Sequence, residues 1–243
     1  ALSIALGLIW TGSSSVGAAG TCAPFAYVTN AAANSVSVID LTSNTVTTNI
    51  TVGNSPLAIA LTPDGATAYA ANSGVNTVSV IDTSTNTVTA TLSGFSQPRD
   101  IAIASNGAKV YVADANTDTV KIIDTATNAV TTGFAVGTGP SGITIAPNGT
   151  TAYVANYNSN NVSVVNLASN VVTTTINVGT HPYKIAITPN GATAYISNYG
   201  SNNVSVIDTT TNTVTATIAV ASGPSGLAIA CLLYTSPSPR DQR

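Results

Sequence analysis

Tyr27, Tyr69, Tyr111, Tyr153 and Tyr195 stand 42 residues apart, with no insertion anywhere between them. Pro56, Pro98, Pro140, Pro182 and Pro224 keep the same spacing, as do Gly65, Gly107, Gly149 and Gly191. A third series runs Asp40, Asp82, Asp124, Asn166 and Asp208. A strict period of this length marks a repeat unit that cannot bury its own apolar faces and must stack against its neighbours.

Within a unit every local signal is β. Residues 182–220 (PYKIAITPNGATAYISNYGSNNVSVIDTTTNTVTATIAV) read as four short strands, at about 184–188, 192–198, 203–208 and 213–220. Pro189-Asn190-Gly191 predicts a tight hairpin, because glycine adopts a positive φ without a Cβ penalty. Asp208 and the Thr-Thr-Thr-Asn that follows predict a turn in which the carboxylate accepts from nearby backbone N–H groups. β-Branched Val, Ile and Thr suit all four strands. Four antiparallel strands in a unit this long predict an all-β fold, a β-propeller of four-stranded blades. The "IAI" strands, with small Ala, fit the crowded axis, and the "TVTATI" strands alternate as a half-exposed outer strand does. A solenoid of stacked β-coils shares the repeat logic, but its units are shorter and lack four hairpin-linked strands.

YVTN itself occurs at Tyr27–Asn30, with YVAD at Tyr111–Asp114 and YVAN at Tyr153–Asn156. Together with VSVIDTSTNTV at 78–88 and PLAIALTPDGATAY at 56–69, these motifs resemble the YVTN β-propeller repeat family over about residues 25–230. The resemblance implies an exported or cell-surface propeller, commonly seven-bladed. It places no catalytic residue on this chain, because the repeat motifs are scaffold.

With the strands of a blade named A to D, the repeats begin with B, C and D at 25–52. Full blades follow at 56–94, 98–136, 140–178 and 182–220, and a lone A strand is expected at 224–230. That makes five blades' worth of strands, either a closed five-bladed ring completed by 224–230 or an open arc of a larger, seven-bladed propeller.

The flanks differ from the repeats. Residues 1–20 (ALSIALGLIW, then TGSSSVGAAG) read as the apolar and cleavage regions of a truncated signal peptide, too short to span a bilayer. Residues 231–243 abandon the period, and CLLYTSPSPRD resembles the translated read-through of a sequencing-library adapter. Cys231, Arg240 and Arg243 are therefore expected to carry no function, and a Cys22–Cys231 disulfide is not favoured. The expected location is secreted, periplasmic or at the cell surface.

Charge narrows the function. Only 6% of residues are charged, and before residue 231 Arg99, Lys109, Lys121 and Lys184 face eight Asp. Nucleic-acid binding needs clustered cations to displace phosphate counterions, so that class is excluded. No GxSxG nucleophile elbow or phosphate-cradling loop occurs, and one His cannot build a three-His zinc site. No cofactor or metal is expected, although DANTD at 114–118 faintly resembles a calcium loop.

A functional site should lie where the repeats depart from one another. The segment before each A strand reads SPLA, QPRD, GPSG, HPYK and GPSG, so two copies carry polar groups. Gln97, Arg99 and Asp100 belong to one, and His181, Tyr183 and Lys184 to the other. In a propeller this segment reaches the channel mouth, where Arg99 and Lys184 can hold an anion and His181 can act as a general base. The bland alternative pairs Arg99 with Asp100 and leaves His181 and Lys184 solvated. Tyr157 and Tyr199, in equivalent B–C loops, form a second candidate patch for a carbohydrate or protein partner, since Tyr offers flat apolar area with a polar tip. Packing against the next blade explains them equally well.

Two function classes follow. One is a non-enzymatic surface scaffold for protein or glycan interaction, adhesion or a surface layer. The alternative is a lactonase-like enzyme or cofactor-handling propeller with its site at the mouth.

Overall fold

A computed structural model describes residues 24–230; the leader-like segment 1–20, both cysteines and residues 231–243 fall outside that range. Nineteen strands form five antiparallel sheets. The first holds β1 (Phe25–Asn30), β2 (Ser35–Asp40) and β3 (Thr45–Thr51). The second holds β4 (Pro56–Leu61), β5 (Thr67–Asn72), β6 (Thr77–Asp82) and β7 (Thr87–Leu92). The third holds β8 (Pro98–Ile103), β9 (Lys109–Asp114), β10 (Thr119–Asp124) and β11 (Val130–Ala135). The fourth holds β12 (Pro140–Ile145), β13 (Thr151–Asn156), β14 (Asn161–Asn166) and β15 (Val171–Asn177). The fifth holds β16 (Pro182–Ile187), β17 (Thr193–Asn198), β18 (Asn203–Asp208) and β19 (Thr213–Ala219). Strand edges fall within two residues of those expected for the last repeat.

Turn chemistry sets this regularity. Thirteen non-glycine residues adopt positive φ, and nine of them are Asn, the side chain that best tolerates the left-handed region. Gly65, Gly107, Gly149 and Gly191 take φ of 69–73° in the A–B hairpins. In the C–D turns, Asp208 accepts from the backbone N–H groups of Thr210 and Thr211 at 2.7 and 3.1 Å, and Asp40, Asp82 and Asp124 do the same. With the Ser84 hydroxyl on Asp82 and the Thr127 hydroxyl on Asp124 acting most strongly there, and the backbone N–H groups on Asp40 and Asp208, hydrogen bonds hold the four carboxyl groups below their ordinary range.

The core lies between the sheets rather than within them. Each apolar cluster joins two consecutive blades: Val36, Ile59 and Ile81 in the first gap, Val78, Ile101 and Ile123 in the second. Ile122, Ile143 and Val165 fill the third gap, and Val164, Ile185 and Ile207 the fourth. The repeating tyrosine crosses three of the four gaps: Tyr27, Tyr69 and Tyr153 donate their hydroxyls to Asn86, Asn128 and Asn212, always 59 residues on, whereas Asn170, 59 residues after Tyr111, keeps its Oδ1 unpartnered among the described residues. Burial raises the pKa of these phenols. The A strands β4, β8, β12 and β16 pack side by side along the inner edge, while outer strands such as β7 alternate exposed and half-buried positions.

The expected lone A strand at 224–230 does not form, and the first sheet keeps three strands. Among the described residues the apolar clusters bridge only consecutive sheets, and none joins the fifth to the first. Segment 224–230 therefore has no strand beside it to supply a ladder, and an open arc replaces the closed five-bladed ring. Among the described residues no helix is long and apolar enough to cross a membrane.

Candidate functional site at the channel mouth

The first residue after each A-strand proline sits in a β-bulge. Pro98 pairs with Asp114 and Asp100 with Ala113, which leaves Arg99 without a partner. The same shift falls on Ser141 in β12 and Tyr183 in β16. A bulge re-aims the side chain it frees, and here it presents Arg99 and Tyr183 at the inner edge of the sheet. The residue before each proline is left-handed: Ser55, Gln97, Gly139, His181 and Gly223 have φ of 51–69°. Each N–H of this series donates to an Asn or Asp of the preceding blade, as His181 does to Asn160 at 2.9 Å and Gln97 to Asn76 at 2.8 Å. Two repeats use glycine at this position. Ser55, Gln97 and His181 adopt the left-handed conformation without being glycine, each held by its N–H bond to the preceding blade.

These placements bring the departures together. Tyr157 stacks on His181 with ring centroids 4.3 Å apart and planes 5° from parallel. The Arg99 guanidinium carbon lies 5.9 Å from the Tyr157 ring centre, and its Nη2 donates to Gln97 Oε1 at 3.1 Å. Tyr183 meets Tyr157 edge-on at 6.4 Å and Tyr199 at 6.3 Å. Gly200 makes room for the imidazole, because a Cβ there would come within 2.6 Å of His181 Nδ1. The mouth residues and the B–C loop tyrosines are therefore one cluster, not the two separate patches their sequence positions imply.

The expected pairing of Arg99 with Asp100 is overturned. Asp100 reaches two blades away, and its Oδ1 lies 2.6 Å from Lys184 Nζ. Its Oδ2 accepts the backbone N–H of Ile143 in the blade between, at 2.9 Å. Small residues open the route: a Cβ on Gly142 would stand 2.5 Å from the Tyr183 carbonyl oxygen. Ser141 Oγ, directly before it, donates to the Pro182 carbonyl at 2.8 Å. Lys184 is thus spent on an internal ion pair and is not a solvated loop residue. Arg99 is left beside the Tyr157 ring without a carboxylate partner, and Lys184–Asp100 is the single ion pair among the described residues.

In the DANTD segment both carboxylates are engaged within the protein. Asp114 accepts the Ser96 N–H at 2.6 Å and the Thr117 hydroxyl at 2.8 Å, and Asp118 accepts the Gly139 N–H at 2.8 Å. Burial pushes the Asp114 carboxyl up. Among the described residues no three His, Cys, Asp or Glu side chains converge as metal ligands. Clefts of about 390 and 190 Å³ open between blades at the opposite end, beside Tyr69 and Tyr153. They recur with the repeat and so belong to the packing, not to a site.

Comparison with known proteins adds the family. The family described as lactonase, seven-bladed β-propeller, matches residues 20–132 and 124–230. The chain belongs to this lactonase propeller family. The resemblance to YVTN repeats holds at the coarser level of a β-propeller. No curated protein matches this lactonase-family chain. Among solved structures it resembles hydrazine synthase of Kuenenia stuttgartiensis, with 19% identity and a TM-score of 0.63 over 83% of this chain and 85% of that one. It also resembles a functionally unknown protein from Desulfotomaculum acetoxidans DSM 771, with 20% identity and a TM-score of 0.67 over 76% of this chain. The propeller spans 62% of that protein's chain. At such identities the two likenesses establish the shared fold.

Proposed function

We propose that this lactonase-family propeller binds a hydroxylated lactone at the channel mouth and opens its ring there. The observation that carries the reading is the Tyr157–His181 stack beside the Arg99 guanidinium. Arg99 donates to the lactone carbonyl oxygen and stabilises the charge that develops on it. His181 takes a proton from water, and the resulting hydroxide forms a bond to the carbonyl carbon. Collapse breaks the bond from that carbon to the ring oxygen, which receives the proton from the imidazolium. The product is a hydroxy acid whose carboxyl group releases its proton to solvent, and the carboxylate remains opposite Arg99. Family membership supports this chemistry, whereas a scaffold role draws only on composition and the leader-like residues 1–20.

Hydrolysis of a six-membered sugar lactone, followed by base uptake at constant pH, tests the reading. His181→Asn keeps a side chain suited to the left-handed backbone and removes the base. The expected loss is about 100-fold or more in catalysed rate, the scale of general-base assistance, with the thermal midpoint unchanged. A His181→Asn protein that hydrolyses at the wild-type rate refutes the assignment.

A further inference from the structure

The third blade departs from the repeat behind the mouth as well as at it. At the end of strand B, Asn30, Asn72, Asn156 and Asn198 donate Nδ2 to the serines at 37, 79, 163 and 205, at 2.7–2.9 Å. The third blade has Asp114 and Lys121 in those two places. The connection into strand A changes with them. A Cβ on Gly53, Gly137 or Gly179 would come within 2.8 Å of the asparagine side chain, and the third blade has Phe95 at that position.

A carboxylate has no hydrogen to donate, so Asp114 acts only as an acceptor. Its Oδ1 accepts the Ser96 N–H at 2.6 Å and its Oδ2 the Thr117 hydroxyl at 2.8 Å, with the residue wholly buried. Among the described residues the buried Oδ1 atoms of Asn72, Asn156 and Asn198 have no partner. In the fourth and fifth blades the matching N–H groups, on Thr138 and Thr180, donate to the Ser159 and Ser201 hydroxyls instead. The third blade thus replaces a neutral bond with a charge-assisted one, the stronger kind. A described blade lies on each side of it, so this burial is that of an interior repeat.

Asp114 fixes the arm that carries Arg99. Phe95 is buried with Val78, Ile101 and Ile123 behind that arm. Ser96 is held at its N–H by Asp114 and at its carbonyl by the Asn116 N–H, at 3.1 Å. Gln97 donates its N–H to Asn76 and accepts from Ala115 at 3.1 Å. From this fixed backbone its Oε1 accepts from Arg99 Nη2 at 3.1 Å, with the guanidinium beside the Tyr157 ring.

We infer that Asp114 is a positioning residue for Arg99: through Ser96 and Gln97 it holds the guanidinium where the lactone carbonyl and the product carboxylate are received. The inference rests on the lactone reading for its ligand, but one of its two readouts needs no ligand.

The first readout is the order of the Arg99 Nε–H group in the nitrogen-15-labelled full chain, its signal assigned by loss in Arg99→Lys. The second is calorimetric titration with gluconate, the open acid of a six-membered sugar lactone. Asp114→Asn combined with Lys121→Ser restores the pair that the other four repeats use, so the thermal midpoint should equal or exceed that of the wild type. The Arg99 order parameter should nevertheless fall below about 0.6, the range of a mobile group. Gluconate should bind about tenfold more weakly, the factor that 1.4 kcal/mol represents. Gln97→Ser takes the residue that Ser55 shows to suit the same left-handed backbone and should have both effects. Added to the restored pair, it should change little more, because the two act through one arm. A role confined to folding would lower the midpoint and leave Arg99 order and gluconate affinity as they were. An Arg99 signal as ordered in the restored-pair variant as in the wild type overturns the inference, as does gluconate affinity that the variant retains in full. Loss of order in a protein whose wild type binds no gluconate refutes the lactone reading alone and leaves the positioning role standing.

Discussion

Replacing Asp100 separates two roles that one carboxylate performs. Its Oδ1 pairs with Lys184 and its Oδ2 accepts the Ile143 N–H, which is buried in the middle blade. Asp100→Asn can keep the backbone acceptor and loses the charge. The Lys184 side chain, 22% exposed, then turns to water, and the cost is about 1 kcal/mol, as for a partly screened pair. Asp100→Ala also strands the Ile143 N–H, which adds about 1–3 kcal/mol for an unsatisfied buried donor. The alanine variant should therefore lose about 2–4 kcal/mol in all. Lys184→Met in the Asp100→Asn background should add almost nothing, because the partner charge has already gone. Urea unfolding with an unchanged slope measures each value. If Asn and Ala variants lose the same stability, the bond to Ile143 contributes nothing and the brace across three blades is misassigned. A loss well above 3 kcal/mol for Asp100→Asn would show that the pair is not screened by solvent.

Other expectations are simpler. Tyr153→Phe removes the hydroxyl bond to Asn212 across a blade gap and should cost about 1 kcal/mol in urea unfolding; no change would mean that the apolar clusters alone hold the gap. Asp40, Asp82, Asp124 and Asp208 have lowered pKa values chiefly from hydrogen bonds, so their stabilisation is present above the unfolded carboxylate value of about 3.9 and is lost as pH falls through the lower folded values. Asp114, raised by burial, acts in the opposite sense, its stabilising share being lost as pH rises through the raised value. The urea midpoint should therefore fall below about pH 4, and Asp82→Asn with Asp124→Asn should flatten that fall, because Asn166 already makes the same turn bonds without charge. A midpoint that rises on acidification contradicts this account.

The fold was legible because its determinants are local and repeated. Gly191 at positive φ, Asp208 capping its turn and the alternating outer strand β7 each follow from a few neighbouring residues. The site was legible only as a list of departures from the repeat. Gln97, Arg99, Asp100, His181, Tyr183 and Lys184 were placed at the mouth, but their partners were not. Arg99 and Asp100 are neighbours in sequence, yet the bulge at Arg99 turns one toward the mouth and leaves the other facing Lys184, 84 residues on. Ser141 and Gly142 looked featureless, although their small size lets that pair meet. One signal could have joined Tyr157 to His181: pre-strand segments and B–C loops share one end of every blade. Closure of the ring was not legible, because it depends on packing between the two ends of the arc.

Ligand binding where His181 stacks on Tyr157 has a clean reporter, since the chain contains a single histidine. Imidazole resonances of the nitrogen-15-labelled protein can be followed during titration with gluconate. The account predicts a saturable shift of the one His181 signal, abolished by Arg99→Ala while the spectrum of the folded backbone is retained. An imidazole signal that stays fixed up to saturating gluconate, or that shifts equally in the Arg99→Ala protein, would contradict it.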